Sequence, residues 1–129
     1  MENVLINKVD LIEDVTLLES DNLIDLLASV EPNMDDCLII KSKDLTRLYL
    51  LKYNNDTGKK VSAIKVEGVG VRSNFKVIPL VLKCINIYTE ILDLFTNETS
   101  LCFIINKCND KNIISRIKNI FKEEGFDVC

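Results

Sequence analysis

Apolar side chains along this 129-residue sequence fall into short segments of two different periods. In residues 3–9, Val4 and Ile6 alternate against Leu5, Asn7 and Val9, which predicts a short opening strand. Asp10 followed by Glu13 has the form of a capping box, and Leu11, Ile12, Val15 and Leu18 then share one helical face, so a first helix is expected; Val15 to Glu19 also admits a strand. Ser20 or Asp21 opens a second helix carrying Leu23, Ile24, Leu27 and Val30. Pro32 ends it by disfavouring helical geometry at Glu31.

Cys37 to Ile40 is apolar but too brief for a helix. Thr46, Leu48 and Leu50 alternate through Leu45 to Tyr53, the turn-rich Asn54-Asn55-Asp56-Thr57-Gly58 follows, and Val61, Ile64, Val66, Val69 and Val71 resume, which together predict an antiparallel hairpin. Between Pro79 and Phe95, Val81, Cys84, Ile85, Tyr88, Ile91, Leu92 and Phe95 repeat at helical spacing. Proline suits the first turn of that helix, where a missing N–H costs nothing. After the polar break Thr96 to Ser100, Leu101 to Ile105 reads as a central strand buried on both faces. A helix with Ile113, Ile114, Ile117, Ile120 and Phe121 inward follows, Gly125 stands where a C-terminal cap belongs, and Phe126 to Cys129 forms a last strand. The expected order is β-α-α-β-β-β-α-β-α-β. It describes an α/β chain of the α+β kind with a mixed, largely antiparallel sheet whose later strands are joined by helical crossovers.

Composition narrows the chemistry. With 47% hydrophobic and 28% charged residues, the chain reads as a single domain, 1–129, able to bury a core without disulfides or metals. It contains no histidine, which removes serine–histidine and cysteine–histidine nucleophile systems and histidine-based zinc sites. No metal site is expected. A net charge of −4 and a pI near 4.9 supply no global attraction to nucleic acid or anionic membranes. Residues 1–15 lack the basic start and apolar run of a signal peptide. The five cysteines are odd in number and lack CxxC spacing, so reduced thiols and a cytoplasmic setting are expected, with Cys108 and Cys129 the most accessible.

One segment carries candidate chemistry. Glu67-Gly68-Val69-Gly70-Val71 places two glycines inside a strand, the mark of a bulge or a close backbone approach, and Arg72-Ser73-Asn74-Phe75-Lys76-Val77 leads from it into the next helix. The element order, with the closing Phe121-Lys122-Glu123-Glu124-Gly125-Phe126, resembles the GNAT-type N-acetyltransferase superfamily over nearly the whole chain. That resemblance implies an acyl-CoA N-acyltransferase-like fold and acetyl-CoA as cofactor. It further implies Glu67 as general base, the backbone of Val69, Gly70 and Val71 beside the pantetheine arm, and Arg72 and Lys76 near the pyrophosphate. The family holds that pyrophosphate on bare backbone N–H groups at a helix N-terminus. Here Arg72 is in register, but Phe75 and Val77 stand where small residues belong, and Phe121 occupies the place of the family's tyrosine acid.

Charge is also unevenly spread. Residues 1–36 sum to −9 and residues 37–129 to +5. Two functional readings follow: an acyl-CoA-dependent acyltransferase, divergent or stripped of its chemistry, and a non-catalytic module that docks a protein partner through the acidic N-terminal helical arm, 1–36, whose carboxylates form the solvent faces of two short helices, or through an exposed sheet edge.

Overall fold

A computed structural model describes residues 4–28, 37–51 and 58–129. Its elements are β1 (Leu5–Ser20), α1 (Leu23–Ala28), β2 (Cys37–Lys41), β3 (Thr46–Leu50), β4 (Lys59–Val69), α2 (Val77–Asn86), β5 (Ile91–Thr96), β6 (Ser100–Asn106), α3 (Asn112–Glu123) and β7 (Asp127–Val128). The class is α+β with a mostly antiparallel arrangement of strands. The chain divides into two compact units, residues 1–13 with 62–129, and residues 14–61.

In the larger unit the pairing order runs from the first part of β1 through β4 and β6 to β5, and β7 lies parallel to β1 through Leu5–Asp127 and Ile6–Val128. From β4 onward the elements follow a β-α-β-β-α-β succession, the split βαβ arrangement. Helices α2 and α3 pack on each other. Val77, Val81, Cys84 and Ile85 of α2, with Ile113, Ile117 and Phe121 of α3, close over Ile64 and Val66 of β4 and Leu101, Phe103 and Ile105 of β6. Leu101 to Ile105 is buried throughout, as a doubly covered central strand requires. Gly125, at φ 84°, ends α3 where the sequence places a cap: its N–H donates to the Lys122 carbonyl at 3.0 Å, and Phe126 N–H donates to the Phe121 carbonyl at 3.0 Å.

In the smaller unit, β3 lies between β2 and β1 and is antiparallel to both, with Leu48 opposite Ile39 and Leu18. Leu26, Leu48 and Leu50 form its buried cluster, with Leu18 and Cys37 against it. Asn22 caps α1, its side-chain oxygen accepting from the Ile24 and Asp25 N–H groups at 2.9 and 3.2 Å. The expected starts, Ser20 and Asp21, lie just before that cap.

Three expected elements differ. Residues 10–18 are strand and Ile91–Thr96 forms a further strand, so the predicted order β-α-α-β-β-β-α-β-α-β becomes β-α-β-β-β-α-β-β-α-β. Leu11, Val15 and Leu18 share a helical face but Val9, Leu11, Val15 and Leu17 also fit a two-residue period, and Val15, Thr16 and Leu17 are all buried, which one helical face does not allow. An isolated helix of nine residues is marginal, whereas a ladder from Thr16–Leu50 to Ser20–Thr46 satisfies the backbone. The predicted hairpin of the third and fourth strands does not form, because β1 lies between them. The helix from Pro79 stops at Asn86, where Tyr88 and Thr89 N–H groups close on the Ile85 carbonyl at 2.9 Å. Ile87, Tyr88 and Thr89 are poor helix formers, and Ile91 to Thr96 instead pairs antiparallel with β6 across a turn whose Asn97 side chain accepts from the Thr99 and Ser100 N–H groups at 3.0 and 2.8 Å. These two strands are therefore hairpin neighbours, and no helical crossover joins them. Val30, the Glu31-Pro32-Asn33 stop, Tyr53 and the 54–57 turn residues lie outside the described residues.

Two positions hold the larger unit's register. A side chain on Gly68 would place its Cβ 2.0 Å from the Leu5 carbonyl oxygen, closer than any real contact. Ser62, fully buried, donates its hydroxyl toward the Glu13 and Cys108 carbonyls at 2.9 and 3.1 Å and accepts from the Cys108 N–H at 2.8 Å. Denaturant titration of Gly68→Ala is expected to show a loss of roughly 3 kcal/mol or more, against about 1 kcal/mol for Gly125→Ala, whose added Cβ meets open space and bears only the positive-φ cost. Ser62→Ala is expected to cost about 1–3 kcal/mol by orphaning a buried N–H, and an unchanged midpoint would refute that role.

Candidate functional site

The segment singled out by sequence is where β4 turns into α2. Along β4, Ile64 and Val66 point into the core while Lys65 and Glu67 share the other face, as a two-residue period dictates. The Glu67 carboxylate is ion-paired with Lys65 at 3.0 Å, both side chains half-exposed. Lys8 pairs with Asp10 at 3.0 Å, and its ammonium is held above the ordinary lysine range first by that hydrogen bond and the Asp10 charge, with the Glu67 charge adding. Glu67 is thus one carboxylate in a strand-surface set of alternating charges.

The glycines that follow have structural duties. Gly68 makes room for the Leu5 carbonyl and donates its N–H to the Thr99 carbonyl at 2.8 Å, so the backbone donor here serves the β5–β6 turn. Val69 is 58% exposed, Gly70 takes φ 77° to begin the turn, and Val71 is buried in the core. The turn then closes on itself. Gly70's carbonyl accepts from the Asn74 N–H at 3.1 Å and the Ser73 hydroxyl at 3.4 Å, Asn74's side-chain oxygen accepts from the Lys76 N–H at 2.9 Å, and Asn74's carbonyl accepts from the Val77 N–H at 3.3 Å. Three N–H groups at the entry to α2, those of Asn74, Lys76 and Val77, are therefore bonded within the turn. A phosphate cradle needs such donors unspent.

The structure does bring the expected residues onto one turn: Glu67, Val69, Gly70, Val71, Arg72 and Lys76 follow one another from the end of β4 to the N-cap of α2, with Arg72 and Lys76 exposed. What sequence reasoning missed is the neighbour of this turn. Phe75, expected as an obstruction, is 83% exposed and, with Lys76, Pro79, Leu80, Lys83 and Glu124, lines an open groove of about 250 Å³. A large aromatic inside an otherwise polar turn was the available signal. Tyr88 lies half-exposed with the Arg116 guanidinium 5.8 Å from its ring centroid, and Tyr49 is buried.

The acidic arm also takes another form. Asp10, Glu13, Asp14 and Glu19 stand on strand β1 and only Asp25 on α1, so the carboxylates do not make the solvent faces of two helices. Among the described residues, no group of three histidine, cysteine or carboxylate side chains is placed to hold a metal ion, and no helix is long and apolar enough to cross a membrane.

All five cysteines are free thiols: Cys84 and Cys102 buried, Cys37 and Cys108 partly so, and Cys129 exposed. Burial pushes the Cys102 thiol up to about 11, with Lys65 opposing weakly. A thiol whose folded value is raised stabilises the fold while it stays protonated, so that contribution is complete below the unfolded value near 9 and lost as pH rises toward 11. Denaturant midpoints measured from pH 8 to 11 are expected to fall, and Cys102→Ala to flatten part of that fall. An identical pH slope in the variant would contradict the assignment.

The chain matches no protein-family model, and no curated protein resembles it significantly.

Proposed function

We propose that this protein is a non-catalytic module that binds a protein partner. One observation carries the reading: the turn into α2 spends the Asn74, Lys76 and Val77 N–H groups on itself and presents Phe75, 83% exposed, where an acyl-CoA pyrophosphate would need bare backbone. The pairing of Glu67 with Lys65 supports it, since a carboxylate engaged in an ion pair is poorly placed to accept a proton from an amine. Absence of histidine removes the usual substitute. The exposed carboxylates Asp14, Glu19, Asp21 and Asp25 keep the N-terminal segment as one candidate contact surface for a basic partner. Five free thiols fit a reducing, cytoplasmic setting.

A second reading, the acyl-CoA N-acyltransferase-like domain with acetyl-CoA as cofactor, draws support from Arg72 and Lys76, two exposed cations on the turn where that fold would hold a pyrophosphate. In it Glu67 deprotonates an amine and the backbone from Val69 to Val71 orients the thioester.

Thermal-shift titration with acetyl-CoA and CoA separates the two. A ligand at ten times its Kd adds about 1.4 kcal/mol to the native state, which a melting curve resolves readily. No shift at millimolar cofactor is expected. A shift that Arg72→Ala abolishes would overturn the non-catalytic reading, and Glu67→Gln would then be expected to depress turnover at unchanged cofactor affinity.

A further inference from the structure

Helix α2 is apolar around most of its circumference. Val77, Val81, Cys84 and Ile85 turn into the core, while exposed Pro79 and partly buried Leu80, which also packs on the core, lie between Lys76 and Lys83 and, with Phe75, floor the open groove. At about 250 Å³ the groove falls below the volume of ordinary cofactor sites, yet it suits a few inserted side chains. Its surroundings are basic. The two helices with their caps, residues 76–86 and 111–124, carry Lys76, Lys83, Lys111, Arg116, Lys118 and Lys122 against Glu123 and Glu124, a net +4 within a chain of net −4. Lys76 and Lys83 are two helical turns apart, so their stems leave one face of α2 about 10 Å from each other.

We propose that this groove docks an acidic amphipathic helix of a partner protein. The partner helix lies along α2, sets two apolar anchors over Phe75, Pro79 and Leu80, and places carboxylates two turns apart on Lys76 and Lys83. Charge complementarity selects the sign of the partner: a groove flanked by Lys76 and Lys83, within a helical layer of net +4, draws in an acidic segment and repels a basic one. Glu124, on the rim at the end of α3, sets the polarity by disfavouring a third carboxylate at that end. The proposal rests on the reading of the protein as a binding module and adds to it the surface and the chemistry of the occupant.

The test is fluorescence anisotropy of the full chain with a labelled helical peptide of about 15 residues, carrying glutamates seven apart and leucines at the third and fourth positions between them. Saturable binding is expected, weakened about tenfold or more by the double variant Lys76→Glu with Lys83→Glu, and by Phe75→Ser, whose exposed side chain leaves the melting temperature unchanged. A matching peptide with lysines in place of both glutamates is expected to bind the double variant better than the unaltered protein. Equal binding of the acidic and basic peptides, unchanged affinity in the double variant, or uptake of a fatty acid in place of the peptide would overturn the proposal. Acetyl-CoA titration of the same samples keeps the two failures apart. Cofactor binding sinks the non-catalytic reading, whereas loss of peptide binding without cofactor binding removes only this groove.

Discussion

The close passage of the Leu5 carbonyl over Gly68 is the constraint from which the larger unit follows. No other residue type fits at position 68, so β1 and β4 meet there in one register, and a one-residue slip would turn Ile64 and Val66 away from the core. The same residue hands its N–H to Thr99 and so fixes the β5–β6 turn against the end of β4. Everything after it, including the positive-φ turn at Gly70 and the entry into α2, starts from a strand end already held on two sides.

That constraint also explains how a site with suggestive sequence comes to serve structure. Glycines in a strand mark a close approach, and the approaching group here is the protein's own backbone. Val71 is buried in the core, and Asn74 gathers the polar groups of the turn. What faces solvent includes Val69, Arg72, a bare aromatic ring and two lysine stems at α2, a surface whose resources are apolar area and positive charge.

Some of this was legible in the sequence and some was not. The central strand from Leu101, the helix carrying Ile113 to Phe121 and the glycine cap at 125 were readable because unbroken apolarity, helical spacing and a turn residue agreed. Residues 10–18 misled because Leu11, Val15 and Leu18 share a helical face while Val9, Leu11, Val15 and Leu17 fit a two-residue period, and only the ladder to β3, invisible to local spacing, decides between them. Pro79 to Phe95 misled for a related reason: its apolar positions continue in helical phase past Asn86, although the residues at the break are β-branched and aromatic. In the candidate site the glycines and cations were legible as a cluster. Their hydrogen bonds were not, and neither was Glu124, which arrives at the groove from the far end of α3.

Ser62 has a consequence for the order of assembly. Its hydroxyl carries one proton for two carbonyls, so it donates to Glu13 or to Cys108 at any instant while accepting from the Cys108 N–H throughout. Those partners lie 49 and 46 residues away along the chain. Loop-closure entropy for spans of that length must be met before the bonds can form, which makes them a seal on strands already gathered and not a nucleus for gathering them. The interaction therefore belongs to the lifetime of the native state, slowing its opening, and contributes little to the speed with which the chain first finds it.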